Sequence, residues 1–196
     1  MVAALHPDLF RTLLGRHAAG VVIVTAAVAG RGRAGFTATS FTSVSLEPPL
    51  VSFCIDHGSS SWPVVGEAEH LGIHFLARTD HHIARAFAAR GADRFSNARW
   101  QAGPHGVPVL SDPDTVLVCR TEQRVTAGDH VIVLAEPLVA LCRGERGTPL
   151  IYHMGRYLSA DPTAQRGWSP PSTPPDGTAL LEGRHVAERP FGEGAG

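Results

Sequence analysis

Apolar residues recur along this chain at two periods. Leu5, Leu9, Leu13 and Leu14 fall near helical spacing, with Pro7 where a first helical turn tolerates it, so a helix is predicted over residues 5–17 and closed by Gly20. VVIVTAAV (21–28) is short and β-branched and predicts a buried strand, followed by a turn in AGRGR (29–33). GFTATSF (35–41) and LVSFCID (50–56) predict strands on either side of a Pro48-Pro49 corner, and HLGIHFLA (70–77) predicts another. Ile83, Ala86, Phe87 and Arg90 return to helical spacing, which predicts a helix over 80–91 with Gly91 as its cap. A Gly/Pro-rich loop runs to Pro108. TVLVCRTEQRVTA (115–127) and HVIVLAEPLVALC (130–142) predict a long hairpin around GDH (128–130), and residues 149–158 a last strand or strand pair.

Many short strands with two or three helices that do not alternate with them predict a mainly β fold, a barrel rather than a doubly wound sheet. The composition shifts after Ser159. Residues 161–196 are rich in Pro and Gly and lack apolar periodicity, so the expected organisation is one domain over 1–160 and a disordered tail over 161–196.

Composition narrows the function classes. The chain has 196 residues, 43% hydrophobic and 18% charged, enough for a real core. A formal net charge of −1 gives no electrostatic footprint for nucleic acid. Asp8, Arg11 and Arg16 interrupt the N-terminal segment where a signal peptide needs an apolar run, and the small-residue stretch over 18–30 is too short to span a bilayer as a helix. Three cysteines, Cys54, Cys119 and Cys142, without CxxC spacing fit a reducing compartment. The expectation is a cytoplasmic protein with no membrane partner.

Several motifs point to chemistry. GRGRAG (30–35) satisfies GxGxxG after a strand and has Asp56 further on, but FTATSFTSVS follows it, which is a poor helix. A dinucleotide fingerprint needs a helix N-terminus at that point, so the motif predicts a hairpin turn instead. His70 and His74 lie four apart on a strand-like segment with no nearby carboxylate, which favours a structural pair over zinc; no metal site is expected. His81 and His82 are adjacent and diverge on a helix. Two Ser/Thr bursts remain, Thr37, Thr39 and Ser40 at one strand end and Ser59, Ser60 and Ser61 with Gly58 at another. Small hydroxyl residues at strand ends let backbone N–H groups approach an anion, although threonine also favours strands and Ser59 is a plausible helix cap.

Larger motifs then occur in a fixed order: GFTATSFTSVSLEPPLVSFCIDHGSSSW, FLARTDHHIARAFA, DRF, GVPVL, AGDHVIVLAEP and PLIYHMGRY. On these residues, over positions 10–158, the chain resembles the flavin reductase family, the small components of two-component flavin-dependent monooxygenases. The resemblance implies a six-stranded FMN-binding split β-barrel of Greek-key type, acting as a homodimer. It implies FMN or FAD in a groove, reduced by NADH or NADPH, with reduced flavin passing to a separate monooxygenase. Gly35, Phe36, Thr37, Ala38, Thr39 and Ser40 would lie along the flavin. Cys54, Ile55, Asp56, His57, Gly58, Ser59, Ser60 and Ser61 would form the second wall and phosphate loop, where relatives often carry Asn and this chain has Asp56 and Gly58. Ala88 and Arg94 would complete the flavin site, Arg94 as charge partner of the phosphate. His130 matches the histidine beside the nicotinamide and is the expected catalytic residue, in a positioning and charge-tuning role. Tyr152, Arg156 and Tyr157 match a segment that closes over the site, with Met154 where many relatives have a basic residue. Two rival classes keep the same loops: a flavin carrier or sensor without turnover, and a split-barrel flavoenzyme acting on its own substrate.

Overall fold

The computed structural model describes residues 6–91, 93–96, 98–143 and 147–160; the expected tail over 161–196 lies outside them. The described chain runs through α1 (Pro7–Leu14), β1 (Ala19–Gly20), β2 (Val22–Val28), β3 (Gly32–Ala38), β4 (Thr42–Leu46), β5 (Pro49–Asp56), α2 (Trp62–Val65), β6 (His70–Phe75), α3 (His81–Ala88), β7 (Trp100–Ala102), β8 (Pro108–Leu110), β9 (Thr115–Ala127), β10 (His130–Cys142), β11 (Leu150–His153) and β12 (Arg156–Ser159). Among the described residues no helix is long and apolar enough to cross a membrane.

Seven strands form one antiparallel sheet in the order β3-β2-β6-β9-β10-β5-β4. The non-consecutive neighbours β2–β6 and β10–β5 give it connections of the expected Greek-key type. Alternate residues of its strands fill one interior core. Val22, Val24 and Ala26 on β2, Ala34, Phe36 and Ala38 on β3, and Val51, Phe53 and Ile55 on β5 all point into it. The rings of Phe36 and Phe53 meet at 6.0 Å, so the two ends of the sheet enclose the same core without pairing as strands along their edges. This is a split barrel. Val64 and Val65 of α2 are buried in the same core.

Val21 and Ile23 face the opposite way and build a second core with Ile83, Ala84 and Phe87 of α3 and with Phe95, Leu110 and Leu150. Burial on both faces explains why VVIVTA reads as an unbroken apolar run. Gly35 is required at this contact: a Cβ there would stand 2.6 Å from the ring of fully buried Phe87. Thr37 Oγ1 donates to the Ala84 carbonyl at 2.7 Å and fixes α3 on β3.

Several elements differ from the sequence expectation. GFTATSF is not one strand. β3 ends at Ala38, and the next residues carry the chain from one edge of the sheet to the other, where β4 begins at Thr42. β4 brings the sheet to seven strands rather than six. The helix predicted over 80–91 ends at Ala88, because Ala89 is already extended; Gly91, at φ +73°, lies beyond the cap. GRGRAG forms the β2–β3 hairpin with Gly30 and Gly32 at positive φ, as expected. The loop before Pro108 contains the short β7–β8 pair. His70 and His74 do not pair with each other, since His70 stacks on His105 with centroids 4.0 Å apart.

His74 is fully buried. Its Nδ1 donates to the Ile23 carbonyl at 3.1 Å, while Nε2 accepts the Leu110 N–H at 3.0 Å, which fixes the neutral tautomer. Burial holds its pKa down to about 4, with the Arg143 charge acting the same way and the Ile23 carbonyl opposing. The unfolded chain takes up this proton near pH 6.5 and the folded one only near 4, so the stabilisation is complete above pH 6.5 and declines as pH falls towards 4. The expected loss across that window is on the order of 3 kcal/mol. Urea unfolding midpoints of wild type and His74→Leu between pH 4 and 7.5 test it: the variant is less stable at pH 7.5, and its profile lacks this decline.

Candidate functional site

The seam between the two ends of the sheet opens into a cleft of about 660 Å³. One wall is the end of β3 and the link after it, residues 36–40. The second is the end of β5 and its turn, with Cys54, Ile55, Asp56, Gly58, Ser59 and Ser60. The third is the end of α3 and the chain beyond it, with Phe87, Ala88, Arg90, Gly91 and Arg94. His130, at the start of β10, completes the lining.

Sequence order brings these pieces together for simple reasons. β3 and β5 are brought face to face by the link over residues 39–41 and by β4. At the seam Ser40 replaces strand pairing: its Oγ accepts the Cys54 N–H at 2.8 Å and donates back to the Cys54 carbonyl at 3.4 Å. Beyond β5, Asp56 Oδ1 accepts the Gly58 N–H at 2.7 Å and the Asp56 carbonyl accepts the Ser59 N–H at 2.9 Å, an Asx-type turn. Ser59 Oγ accepts the Ser61 N–H at 3.3 Å, which leads the chain into α2.

Arg94 ties the three walls. Nη1 donates to the Gly35 carbonyl at 2.7 Å and to Ser61 Oγ at 2.6 Å, Nη2 to Ser60 Oγ at 3.3 Å, and Nε to the Ala89 carbonyl at 3.0 Å. Burial lowers its pKa from the ordinary arginine value, which is so far above neutrality that the guanidinium stays charged. Arg90 is exposed and lines the same cleft, with no ion-pair or hydrogen-bond partner among the described residues. The cleft therefore presents two cations, one rigidly held and one free to reach, beside the hydroxyls of Thr39, Ser59 and Ser60. That set suits a phosphate monoester at one end of a flat, partly apolar ligand. Asp56 and His130 are cross-strand partners on β5 and β10, and His130 Nδ1 donates to Asp129 Oδ1 at 2.7 Å.

Residues 14–161 match the model of the flavin reductase-like domain. The chain belongs to that family. An NADH:FMN oxidoreductase of Rhodococcus qingshengii is 41% identical over 162 residues, 80% of this chain and 83% of the relative. A flavin-dependent monooxygenase reductase subunit of Rhodococcus jostii is 31% identical over 159 residues, 81% of this chain and 80% of its own length. The crystal structure of a flavin reductase domain protein from Arthrobacter sp. FB24 superposes with a TM-score of 0.75 at 37% identity, over 80% of this chain and 97% of the other.

In this flavin reductase-like domain, the expected site residues fall into three groups. Phe36, Thr37, Ala38, Thr39, Ser40, Cys54, Ile55, Asp56, Gly58, Ser59, Ser60, Ala88, Arg94 and His130 share the cleft. Gly35, His57 and Ser61 stand behind it: Gly35 receives Phe87, His57 packs edge-on against Trp62 at 5.4 Å, and Ser61 is buried with its Oγ donating to the Gly35 carbonyl at 2.9 Å. Tyr152, Arg156 and Tyr157 are not in the cleft of the single chain. They belong to the β11–β12 hairpin, which pairs through β11 with β1; Tyr157 borders a separate cleft of about 770 Å³ with Arg78 and Arg85. Sequence reasoning missed Phe87, Arg90 and Gly91 in the lining, and Asp129 behind His130. The two arginines four apart in AARGADRF were the available signal for Arg90.

Because Arg94 holds backbone on two walls, its replacement should cost stability as well as any ligand contact. Arg94→Lys keeps the charge but cannot reproduce the fork of bonds. The expected loss is about 1–3 kcal/mol. Thermal unfolding without ligand checks this: an unchanged Tm would show that the network is dispensable.

Proposed function

We propose that this chain is an NAD(P)H-dependent flavin reductase that reduces FMN or FAD and delivers the reduced flavin to a partner flavin-dependent monooxygenase. The observation that carries the reading is the seam cleft itself, whose lining joins the hydroxyls of Thr39, Ser59 and Ser60, two arginines and His130. Family membership supports it, as do relatives named NADH:FMN oxidoreductase and monooxygenase reductase subunit.

Ser59, Ser60, Arg90 and Arg94 would hold the flavin phosphate, and Thr39 the ribityl hydroxyls. Ser40 would act by keeping the seam at its width, since its hydroxyl is spent on Cys54. Phe36 and Phe87 would back the flat ring system. Flavin and nicotinamide supply the hydride chemistry themselves, and the protein contributes orientation and electrostatics. Holding two flat rings face to face at reacting distance is the largest expected term, so His130 orients rather than transfers a proton. We further propose a cytoplasmic homodimer. The three cysteines are free, as a reducing compartment would keep them, and α1 leaves Leu9, Phe10, Leu13 and Leu14 exposed on a helix too short to be stable unsupported.

Oxidation of NADH and NADPH, followed by absorbance with excess FMN or FAD, tests the reading. Flavin-dependent turnover is expected. Flavin binding by fluorescence quenching without turnover would instead indicate a carrier. In the active protein, His130→Ala should lower the reduction rate more than flavin affinity. Arg90→Ala should do the reverse, weakening flavin binding about tenfold for one lost charge-assisted contact.

A further inference from the structure

His130 leaves a two-residue hairpin turn, Gly128–Asp129, that joins it to its register partner Ala127. Gly128 stands at φ +65°, the first central position that mirror-type hairpin turns reserve for glycine. The Asp129 carbonyl accepts the His57 N–H at 3.1 Å, which ties this turn to the exit of β5. The Asp129 side chain bends back onto the next residue, with Oδ1 2.7 Å from His130 Nδ1. That hydrogen bond, followed by the imidazole's charge, holds the Asp129 carboxyl below its ordinary range. An ionised carboxylate only accepts, so the proton of this contact resides on Nδ1.

The ring edges are therefore distinguished. His130 lines the cleft, and its Nδ1 is taken by Asp129, which does not line it. Nε2 has no protein partner among the described residues and is the nitrogen left for the cleft. In the neutral ring Nε2 then carries a lone pair and accepts hydrogen bonds. The charged and titratable groups around this ring are Asp129 on its own turn, Asp56 as its register partner on β5, His57, whose charge acts on Asp129, and Arg90 and Arg94 in the lining of the same cleft. The Asp56 carboxylate is engaged by the Gly58 N–H, which leaves Asp129 as the group bonded to the imidazole.

We infer that Asp129 is a positioning residue that locks His130 in the Nδ1–H tautomer, so that Nε2 accepts a hydrogen bond from the carboxamide N–H of the reduced nicotinamide. The inference rests on the proposed reductase reading. The carboxamide is the donor group of the nicotinamide ring, and an acceptor fixed on the cleft wall selects one orientation of it. An Nε2–H tautomer would meet that amide donor to donor.

Two readouts at pH 8, above the ordinary imidazole range, test this. The first is nitrogen-15 NMR of the histidine rings in the ligand-free protein, with the His130 signals assigned by their loss in His130→Ala. Wild type and Asp129→Asn, whose amide oxygen can still accept, should show the Nδ1–H form. Asp129→Ala should shift His130 towards the Nε2–H form. The second compares KM for NADH with KM for reduced 3-acetylpyridine adenine dinucleotide, which lacks the amide donor. Wild type and Asp129→Asn should favour NADH by about three- to tenfold, the range for one hydrogen bond, and Asp129→Ala should bring the ratio towards one. An Nε2–H tautomer in wild type, or a tautomer or KM ratio unmoved by Asp129→Ala, would overturn the inference. Absence of turnover with every nicotinamide and flavin pair would overturn the reductase reading instead, and the NMR result would still decide the role of Asp129.

Discussion

The unpaired seam between the two ends of the seven-stranded sheet is the constraint on which this structure depends. β3 and β5 share one interior core through Phe36 and Phe53, so the sheet must curl until they face each other. Continuous pairing there would close the barrel and leave no room for a ligand. No pairing at all would leave backbone N–H and C=O groups of both edges unsatisfied, which is costly wherever water is excluded. Ser40 resolves this with one side chain, accepting from and donating to the Cys54 backbone at the point where the chain crosses the seam. Below it the edges are held together by the core; above it they diverge into the cleft.

The third wall depends on a missing atom. Gly35 lets the ring of Phe87 approach β3 closely enough for α3 to lie along the seam, and Thr37 pins the helix there through the Ala84 carbonyl. Arg94 then returns from beyond α3 to the Gly35 carbonyl and to Ser61. Its guanidinium is thus fixed before any ligand arrives, and electrostatic attraction to an anion costs little reorganisation. Arg90, without a partner among the described residues, keeps its side-chain freedom and would lose it on contact. Two arginines four residues apart therefore play unequal parts, one mostly architectural and one available.

These dependencies explain what the sequence disclosed. The β9–β10 hairpin was legible to the residue, because its apolar alternation and the GDH turn are local signals. The two hydroxyl bursts lie at strand ends that line one cleft. β4 was not legible, since nothing in GFTATSF marks the place where the chain changes edges; tertiary closure sets that break. The early end of α3 at Ala88 was likewise hidden, as Ala89, Arg90 and Gly91 continue the helical spacing while the extended Ala89 ends it. Ser61 looked like a ligand hydroxyl and is buried under Arg94, because its role depends on a residue 33 positions away. Tyr152 and Tyr157 matched a lid segment by motif, yet their hairpin pairs with β1, and in a single chain they face each other at 5.3 Å rather than the cleft.

One further link joins the exit of β5 to the turn between β9 and β10. The His57 N–H bonds to the Asp129 carbonyl, Asp56 and His130 are register partners, and Asp129 grips the His130 ring. The turn that carries Ser59 and Ser60 and the turn that carries Asp129 are therefore one hydrogen-bonded unit across β5 and β10. A phosphate against Ser59 and Ser60 would stand one backbone hydrogen bond, from the His57 N–H to the Asp129 carbonyl, away from the turn that carries Asp129. Both turns are anchored to the same pair of strands, β5 and β10.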